Sequence, residues 1–97
     1  MILQIVKLRT ELSEDELLKI AHERAPQFRE LEGLIQKYYV RRDEPGEYAG
    51  VYVWDTQESL EAFRDSELAK SIAKAYRVVE PPVVEVSEVL FPLRDDR

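Results

Sequence analysis

His22 is the only histidine in this chain of 97 residues, which contains no cysteine. Its imidazole is the one side chain whose unperturbed pKa lies near neutrality, so His22 is the first candidate for a catalytic proton acceptor. On a helical wheel it flanks an apolar stripe, where it would either open on a cleft beneath the helix or lie half-exposed at the surface. A single histidine without cysteine excludes a His-rich or Cys-based metal site and a thiol nucleophile.

A group of aromatic side chains forms the second candidate site. Tyr52 and Trp54 share one face of a predicted strand, and Tyr38 comes from the strand paired with it. Rings that carry a polar tip suit a pocket for a flat, partly polar organic molecule. The same rings could equally be core residues or line a dimer interface. Phe63 and Tyr76, on a second helical region, would line the pocket or simply belong to the core.

The elements that position these residues follow from periodicity and from start and stop signals. Ser13 and Glu16 form a capping box at the start of the first helix, whereas Pro26 should kink or end that helix nearby. Asp55 followed by Glu58 signals the start of a second, broken helix. Apolar runs and alternating patterns predict the strands. The predicted strands cover residues 2–8, 34–42, 48–54 and 83–91, the broken helix about 56–76, and a frayed tail 94–97.

The order strand–helix–strand–strand–helix–strand predicts one α+β domain over residues 1–97 with ferredoxin-like βαββαβ topology. Both helices should cover one face of a four-stranded antiparallel sheet. The strand patterns leave the other face apolar, and a monomer would expose that face to water. We therefore predict a homodimer whose two sheets pack face to face.

Charge and hydropathy exclude several classes of partner. Lys plus Arg is 14 and Asp plus Glu is 20, and the net charge of −6 disfavours nucleic acid. Lys37, Arg41 and Arg42 form a basic cluster beside Tyr38, but the first strand lacks the aromatic residues that an RNA-recognition motif needs. No apolar run approaches the ~18 residues of a membrane span, and no signal-peptide pattern is present. We expect a cytoplasmic protein without a nucleic-acid or membrane partner.

Two segments resemble a known family. Gly33–Tyr39 reads Gly-Leu-Ile-Gln-Lys-Tyr-Tyr after the first helix, and Ala49–Asp55 reads Ala-Gly-Val-Tyr-Val-Trp-Asp before an acidic helix start. The pattern resembles the YdhR-like monooxygenases, a branch of the dimeric α+β barrel superfamily that also holds the antibiotic biosynthesis monooxygenases. The resemblance covers nearly the whole chain. It implies a ferredoxin-like protomer and a dimer whose two sheets form a β-barrel.

The resemblance also implies an activity. Better-studied relatives oxidise aromatic polyketide-type substrates with molecular oxygen and without metal, flavin or haem, in pockets between the helices and the sheet. By this likeness we expect a cofactor-independent monooxygenase, an oxidoreductase, acting on a small aromatic or polyketide-like compound. Tyr38, Tyr52, Trp54 and Tyr76 would position the substrate, and His22 would assist its deprotonation. The alternative is a non-catalytic small-ligand-binding or stress-related homodimer that uses the same pocket for sequestration or sensing.

Overall fold

The computed structural model describes residues 1–94 and has the predicted order of elements. The strands are β1 (Ile2–Arg9), β2 (Leu34–Arg41), β3 (Glu47–Trp54) and β4 (Val83–Glu88), and the helices are α1 (Glu14–Arg29), α2 (Gln57–Arg64), α3 (Glu67–Lys70) and α4 (Ile72–Ala75). The antiparallel sheet has the order β2-β3-β1-β4, so the predicted ferredoxin-like fold is confirmed. Most of the predicted tail, 95–97, lies outside the described residues. No helix in residues 1–94 is long and apolar enough to cross a membrane.

Strand alternation gives the sheet one face that the helices cover. Trp54 lies opposite Ile2, and Tyr52 lies opposite Gln4, in the β1–β3 pair. All four side chains are buried beneath the helices. The helical residues that complete this core are Leu17, Ala21, Phe28, Leu60, Phe63, Ile72 and Tyr76. The covered face of the sheet and this set of helical side chains together form the hydrophobic core.

The first helix begins with the predicted capping box. The Glu16 N–H donates to Ser13 Oγ at 3.2 Å, and the Ser13 N–H donates to Glu16 Oε1 at 2.9 Å. The helix runs through Pro26 and ends at Arg29, because Pro26 removes only one backbone donor and Phe28 beyond it is buried in the core. The capping box and Phe28 thus fix the two ends of α1 over the sheet.

The second helical region is broken, as predicted, and the residue that caps its start is Thr56 rather than Asp55. Thr56 is the N-cap of α2, since its backbone is extended and its Oγ1 accepts from the Ser59 N–H at 3.1 Å. Ser66 caps α3 in the same way, with Oγ accepting from the Ala69 N–H at 3.2 Å. The break between α2 and α3 thus falls where a hydroxyl side chain accepts from a free helix N–H, whereas Ser71 before α4 makes no such bond.

The last helix, α4, ends in a Schellman-type turn. The Arg77 N–H donates to the Lys74 carbonyl at 3.2 Å, and the Val78 N–H donates to the Ala73 carbonyl at 3.1 Å. Arg77 has φ of 49°, in the left-handed region where such turns usually carry glycine. The turn directs the chain back toward the sheet and holds Tyr76 in the core.

The opposite face of the sheet, here called the open face, is covered by no helix in residues 1–94. Its apolar side chains are Leu3, Ile5, Tyr38, Val40, Ala49, Val51, Val53 and Val83. Tyr38 is 55% exposed and Val83 is 53% exposed. Among residues 1–94, ion pairs on this face join Lys7 Nζ to Glu85 at 2.8 Å and Arg9 to Glu47. A single chain therefore presents an apolar sheet surface to solvent.

Candidate active site

A small cavity lies between the helices and the covered face of the sheet. Its volume is about 40 Å³, and its walls include Val6, Leu8, Leu17, Lys37, Tyr39, Tyr52, Ile72 and Tyr76. That volume admits a few water molecules, whereas pockets for drug-sized ligands measure about 300–1,000 Å³. Lys37 and Tyr39 also line an open hollow of about 350 Å³ between α1 and β2. Because these two side chains line both spaces, a ligand larger than a few water molecules would require them to move.

The floor beneath this region is aromatic. The Tyr52 and Trp54 rings are stacked, with centroids 6.0 Å apart and planes 4° apart, and the Phe63 ring lies 5.3 Å from each of them. Trp54 has no exposed surface, and its Nε1 donates to Gln4 Oε1 at 2.9 Å. Trp54 and Phe63 are thus core residues, while Tyr52 reaches the cavity wall.

The predicted aromatic set is divided by the sheet. Tyr52 and Tyr76 both line the cavity. Tyr38 lies opposite Val51 and faces the open side, so the structure does not bring it to the group formed by Tyr52 and Trp54. Alternate residues of β2 point to opposite faces, and Lys37 lies opposite Tyr52 in the register that forms. Lys37 and Tyr39 therefore occupy the position that the sequence argument gave to Tyr38.

His22 lies on α1, exposed to solvent, directly after the buried Ala21. Successive helical residues are turned by about 100°, so a neighbour of the buried stripe readily faces outward. His22 is not among the residues that line the cavity. Its catalytic role stays a prediction, and its place in the fold gives that role no support.

Lys37 is the charged residue that the fold brings to the cavity. Its Nζ lies 3.6 Å from the ring centroid of Phe28, 4.4 Å from that of Tyr39 and 4.6 Å from that of Tyr52. In residues 1–94 no carboxylate lies within ion-pair distance of this Nζ. Burial, and secondly the charge of Arg24, lowers the pKa of Lys37 to about 7. Near neutral pH, Lys37 can therefore either accept or donate a proton.

Arg24 of α1 approaches the same rings from the helix side. Its guanidinium carbon lies 5.7 Å from the Phe28 centroid and 5.8 Å from the Tyr76 centroid. Nη2 donates to the Leu68 carbonyl at 3.3 Å and to Ser71 Oγ at 3.2 Å. Nε is buried without a hydrogen-bond partner among the described residues. The guanidinium is thus held by two hydrogen bonds from Nη2, while its buried Nε donor has no acceptor in residues 1–94.

The tyrosines around the two cations are neutral donors at physiological pH. Burial raises the pKa of Tyr76 to about 12 and also raises the pKa of Tyr52 and of Tyr39. Neighbouring tyrosines add to the rise at Tyr52 and Tyr76, while Arg24 opposes it. The site therefore combines two cationic groups with phenolic hydroxyls.

In the sequence, Lys37, Arg41 and Arg42 form one basic cluster. Arg41 instead forms two hydrogen bonds of 2.6 Å with the carboxylate of Glu14, and it lies opposite Tyr48 of β3. Lys37 was therefore missed as a site residue, and so was Arg24. The available signal was the spacing of Lys37 and Tyr39, which places a lysine and a tyrosine on one strand face.

The strand order and the helix-covered aromatic cavity define a ferredoxin-like α+β protein with a pocket inside the protomer. The family model for antibiotic biosynthesis monooxygenases matches residues 1–75, and the chain belongs to this family. Its assignment to the YdhR-like branch stays a prediction. No curated protein matches the sequence.

Solved structures share the fold at low sequence identity. SnoaB, a cofactor-independent oxygenase from Streptomyces nogalater, is 14% identical with a TM-score of 0.75, and the match covers 97% of each chain. A candidate antibiotic biosynthesis monooxygenase from Bordetella bronchiseptica is 22% identical with a TM-score of 0.76, over 93% of this chain and 97% of that one. NE2512, a protein of unknown function from Nitrosomonas europaea, is 16% identical with a TM-score of 0.78, over 99% of this chain and 95% of that one.

Proposed function

We propose that this protein is a cofactor-independent monooxygenase for a small aromatic or polyketide-like compound, bound between the helices and the sheet. The observation that carries the proposal is Lys37, an amine with a pKa of about 7 enclosed by aromatic rings at the cavity wall. A basic group beside flat apolar walls suits the deprotonation of a planar ring compound. Membership of the monooxygenase family supports the same reaction class.

The reaction needs one proton acceptor from the chain. With the substrate ring between Tyr52 and Tyr76, the neutral amine of Lys37 takes a proton from an acidic methylene carbon of the substrate. The carbanion gives its electrons to molecular oxygen, and a carbon–oxygen bond forms. Overall, one ring methylene and one O₂ become one carbonyl and one water, so no other reductant is consumed. The competing assignment, which the sequence suggests, gives the proton-accepting role to the exposed His22.

Oxygen uptake tests the reaction class. Purified protein in chelator-treated buffer is offered a panel of hydroxyanthrones and quinols in an oxygen electrode, and products are analysed by mass spectrometry under ¹⁸O₂. We expect uptake above the protein-free rate and one ¹⁸O atom in the carbonyl product. An uptake rate equal to that without protein for every compound would contradict the proposal.

The second candidate function is a non-catalytic small-ligand-binding or stress-related homodimer. It is favoured by the surroundings of Lys37 Nζ, which has no hydrogen-bonded group in residues 1–94 to pass a proton onward. Ligand binding to the folded state alone would raise the melting temperature. Thermal stabilisation by panel compounds without product formation would favour this candidate over the oxygenase.

We also propose that the protein is a homodimer joined through the open face. An exposed apolar sheet surface is typical of an interface, and a two-fold pair covers the same surface on both copies. Beyond β4, Leu90, Phe91 and Leu93 are also largely exposed, at 91%, 73% and 88%, and would add apolar contact. Sedimentation equilibrium at micromolar concentration should give the mass of two chains, and the mass of one chain would contradict the dimer.

A further inference from the structure

Arg24 and Lys37 differ from Lys7, the other cation of residues 1–94 that the fold partly buries. Lys7, also half-buried, forms an ion pair with Glu85 at 2.8 Å. Arg24 and Lys37 have no carboxylate within ion-pair distance among residues 1–94, although the chain has a net charge of −6. Acidic side chains are thus abundant in the sequence, but among the described residues none lies within ion-pair distance of these two cations.

The two charges belong to one site. Both approach Phe28, with Lys37 Nζ 3.6 Å and the Arg24 guanidinium carbon 5.7 Å from its ring centroid. Lys37 lines the cavity itself, whereas Arg24 does not and is connected to the cavity through Tyr76, whose ring centroid lies 5.8 Å from the Arg24 guanidinium carbon. The buried Nε of Arg24 has no hydrogen-bond partner among residues 1–94, and the Tyr76 side chain is a neighbour of this guanidinium. The site therefore holds two positive groups, a buried N–H of Arg24 that has no acceptor among the described residues, and tyrosine hydroxyls.

Two unpaired like charges in a partly desolvated site repel each other and lose hydration, which opposes folding. An anion bound between them would reverse both effects, since a charge-assisted hydrogen bond to guanidinium is strong. The walls named above carry no acidic side chain that would repel such an anion. A guanidinium group carries a positive charge at neutral pH in general, so a site that contains one is positive even when its lysine is neutral.

We propose that Arg24 and Lys37 form an anion-binding subsite, and that the ligand is a planar aromatic ring bearing a negatively charged oxygen. The ring packs against Tyr52 and Tyr76, and the charged oxygen accepts from the guanidinium of Arg24. This inference rests on the pocket of the proposed function and narrows its substrate class. It also explains why arginine, which is permanently charged, occupies the position next to Tyr76.

Equilibrium binding of salicylate and of its neutral methyl ester tests the subsite. Both probes are small single rings that differ in the carboxylate charge, and calorimetry measures each against the wild-type protein at pH 7. We expect salicylate to bind at least about tenfold more tightly than the ester, which is a modest value for a charge-assisted contact. Equal affinity for the two probes, including no binding of either, would overturn the subsite.

Substitutions of Arg24 and Lys37 test whether these two cations cause the preference for salicylate over its methyl ester. Arg24→Gln should reduce salicylate affinity by about tenfold while leaving that of the ester unchanged, and Lys37→Met should do the same to a smaller extent. Lys19→Met, which removes an exposed lysine elsewhere on α1, is the control and should leave both affinities unchanged. Persistence of the full preference in both Arg24→Gln and Lys37→Met would overturn the assignment. Circular dichroism confirms that each variant is folded.

The binding test of the anion subsite and the oxygen-uptake test of the proposed reaction can fail independently. An acid preference without oxygen uptake leaves the subsite standing and removes the oxygenase. Oxygen uptake on neutral hydroxyanthrones together with equal binding of acid and ester removes the subsite and leaves the oxygenase standing.

Discussion

The two faces of the sheet carry similar residues in different environments. On the face beneath the helices, Tyr52 and Trp54 are almost fully buried, and Lys37 is held against aromatic rings. On the open face, Tyr38 is 55% exposed and its neighbour across the sheet, Val51, is half-buried. One residue along a strand therefore separates a core or site position from a surface position. The residue type determines which contacts a side chain can make. The face of the strand determines whether that side chain lies in the core and cavity or at the surface.

Trp54→Ala should produce the largest effect, because it removes a fully buried ring from the covered face. Large-to-small changes of this kind cost about 3–5 kcal/mol of unfolding free energy. Trp54→Phe is the matched control: it keeps a ring but leaves Gln4 without its partner, at a cost of about 1–2 kcal/mol. Urea unfolding measures both variants, and a Trp54→Ala loss below that of Trp54→Phe would contradict this description of the core.

Lys37 should make stability depend on pH on the same face. Its pKa is about 7 when folded and 10.5 in the unfolded chain, so the unfolded state binds more protons between these values. The contribution of Lys37 to the unfolding free energy therefore rises with pH, by on the order of 3 kcal/mol between pH 7 and pH 9.5. Lys37→Met should be more stable than wild type at pH 7 and should lose this advantage by pH 9.5.

The Lys37 prediction is checked by urea unfolding of both proteins across this pH range. Lys19→Met, at an exposed lysine, should follow the wild type at every pH. A constant difference between Lys37→Met and wild type would mean that Lys37 has an ordinary pKa.

On the open face, Tyr38→Glu should weaken the proposed dimer. A two-fold pair brings the two copies of this face together, so one substitution introduces two like charges into an apolar interface. We expect the dimer dissociation constant to rise by about 10- to 100-fold in sedimentation experiments. Gln27→Glu adds the same charge at an exposed position of α1 and should leave the constant unchanged. Equal constants for the two variants would contradict an interface at Tyr38.

The smallest expected effect comes from a position on neither face. Arg77→Gly at the end of α4 relieves a φ of 49° and should raise the unfolding free energy by about 1 kcal/mol. Arg77→Ala removes the same side chain but keeps a Cβ, and it should give no such gain. Thermal unfolding of the two variants makes the comparison. An equal gain in both would trace the effect to the arginine side chain rather than to the backbone.

The fold was predictable because several local signals agree with it. The capping box at Ser13 and Glu16, the turn before β3 and the broken helix after it all stand in the sequence, and the structure contains each of them. The strand alternation was also predictable, including the separation of Tyr38 from Tyr39. These features depend on contacts that are local in sequence, which periodicity and capping describe directly.

The site was less predictable because it depends on which face of β2 turns toward the helices. Both faces carry a tyrosine, so hydropathy alone did not choose between Tyr38 and Tyr39. A lysine on a strand usually marks a solvated edge, and only the packing of Phe28 and Tyr52 around Lys37 reveals a different role. The sequence points to His22 because imidazole groups in general titrate near neutrality, whereas the structure shows a lysine, Lys37, whose pKa burial lowers to about 7.

The pH dependence of oxygen uptake tests the central claim, that Lys37 is the proton acceptor of the reaction, most directly. The panel compound with the highest activity is assayed with wild type, Lys37→Met and His22→Ala between pH 5.5 and pH 9. For wild type we expect kcat/KM to rise through about pH 7 as Lys37 loses its proton. Lys37→Met should lose about a hundredfold or more of activity together with this rise, and His22→Ala should keep both. Loss of activity and of the pH dependence in His22→Ala, with both retained in Lys37→Met, would contradict the account.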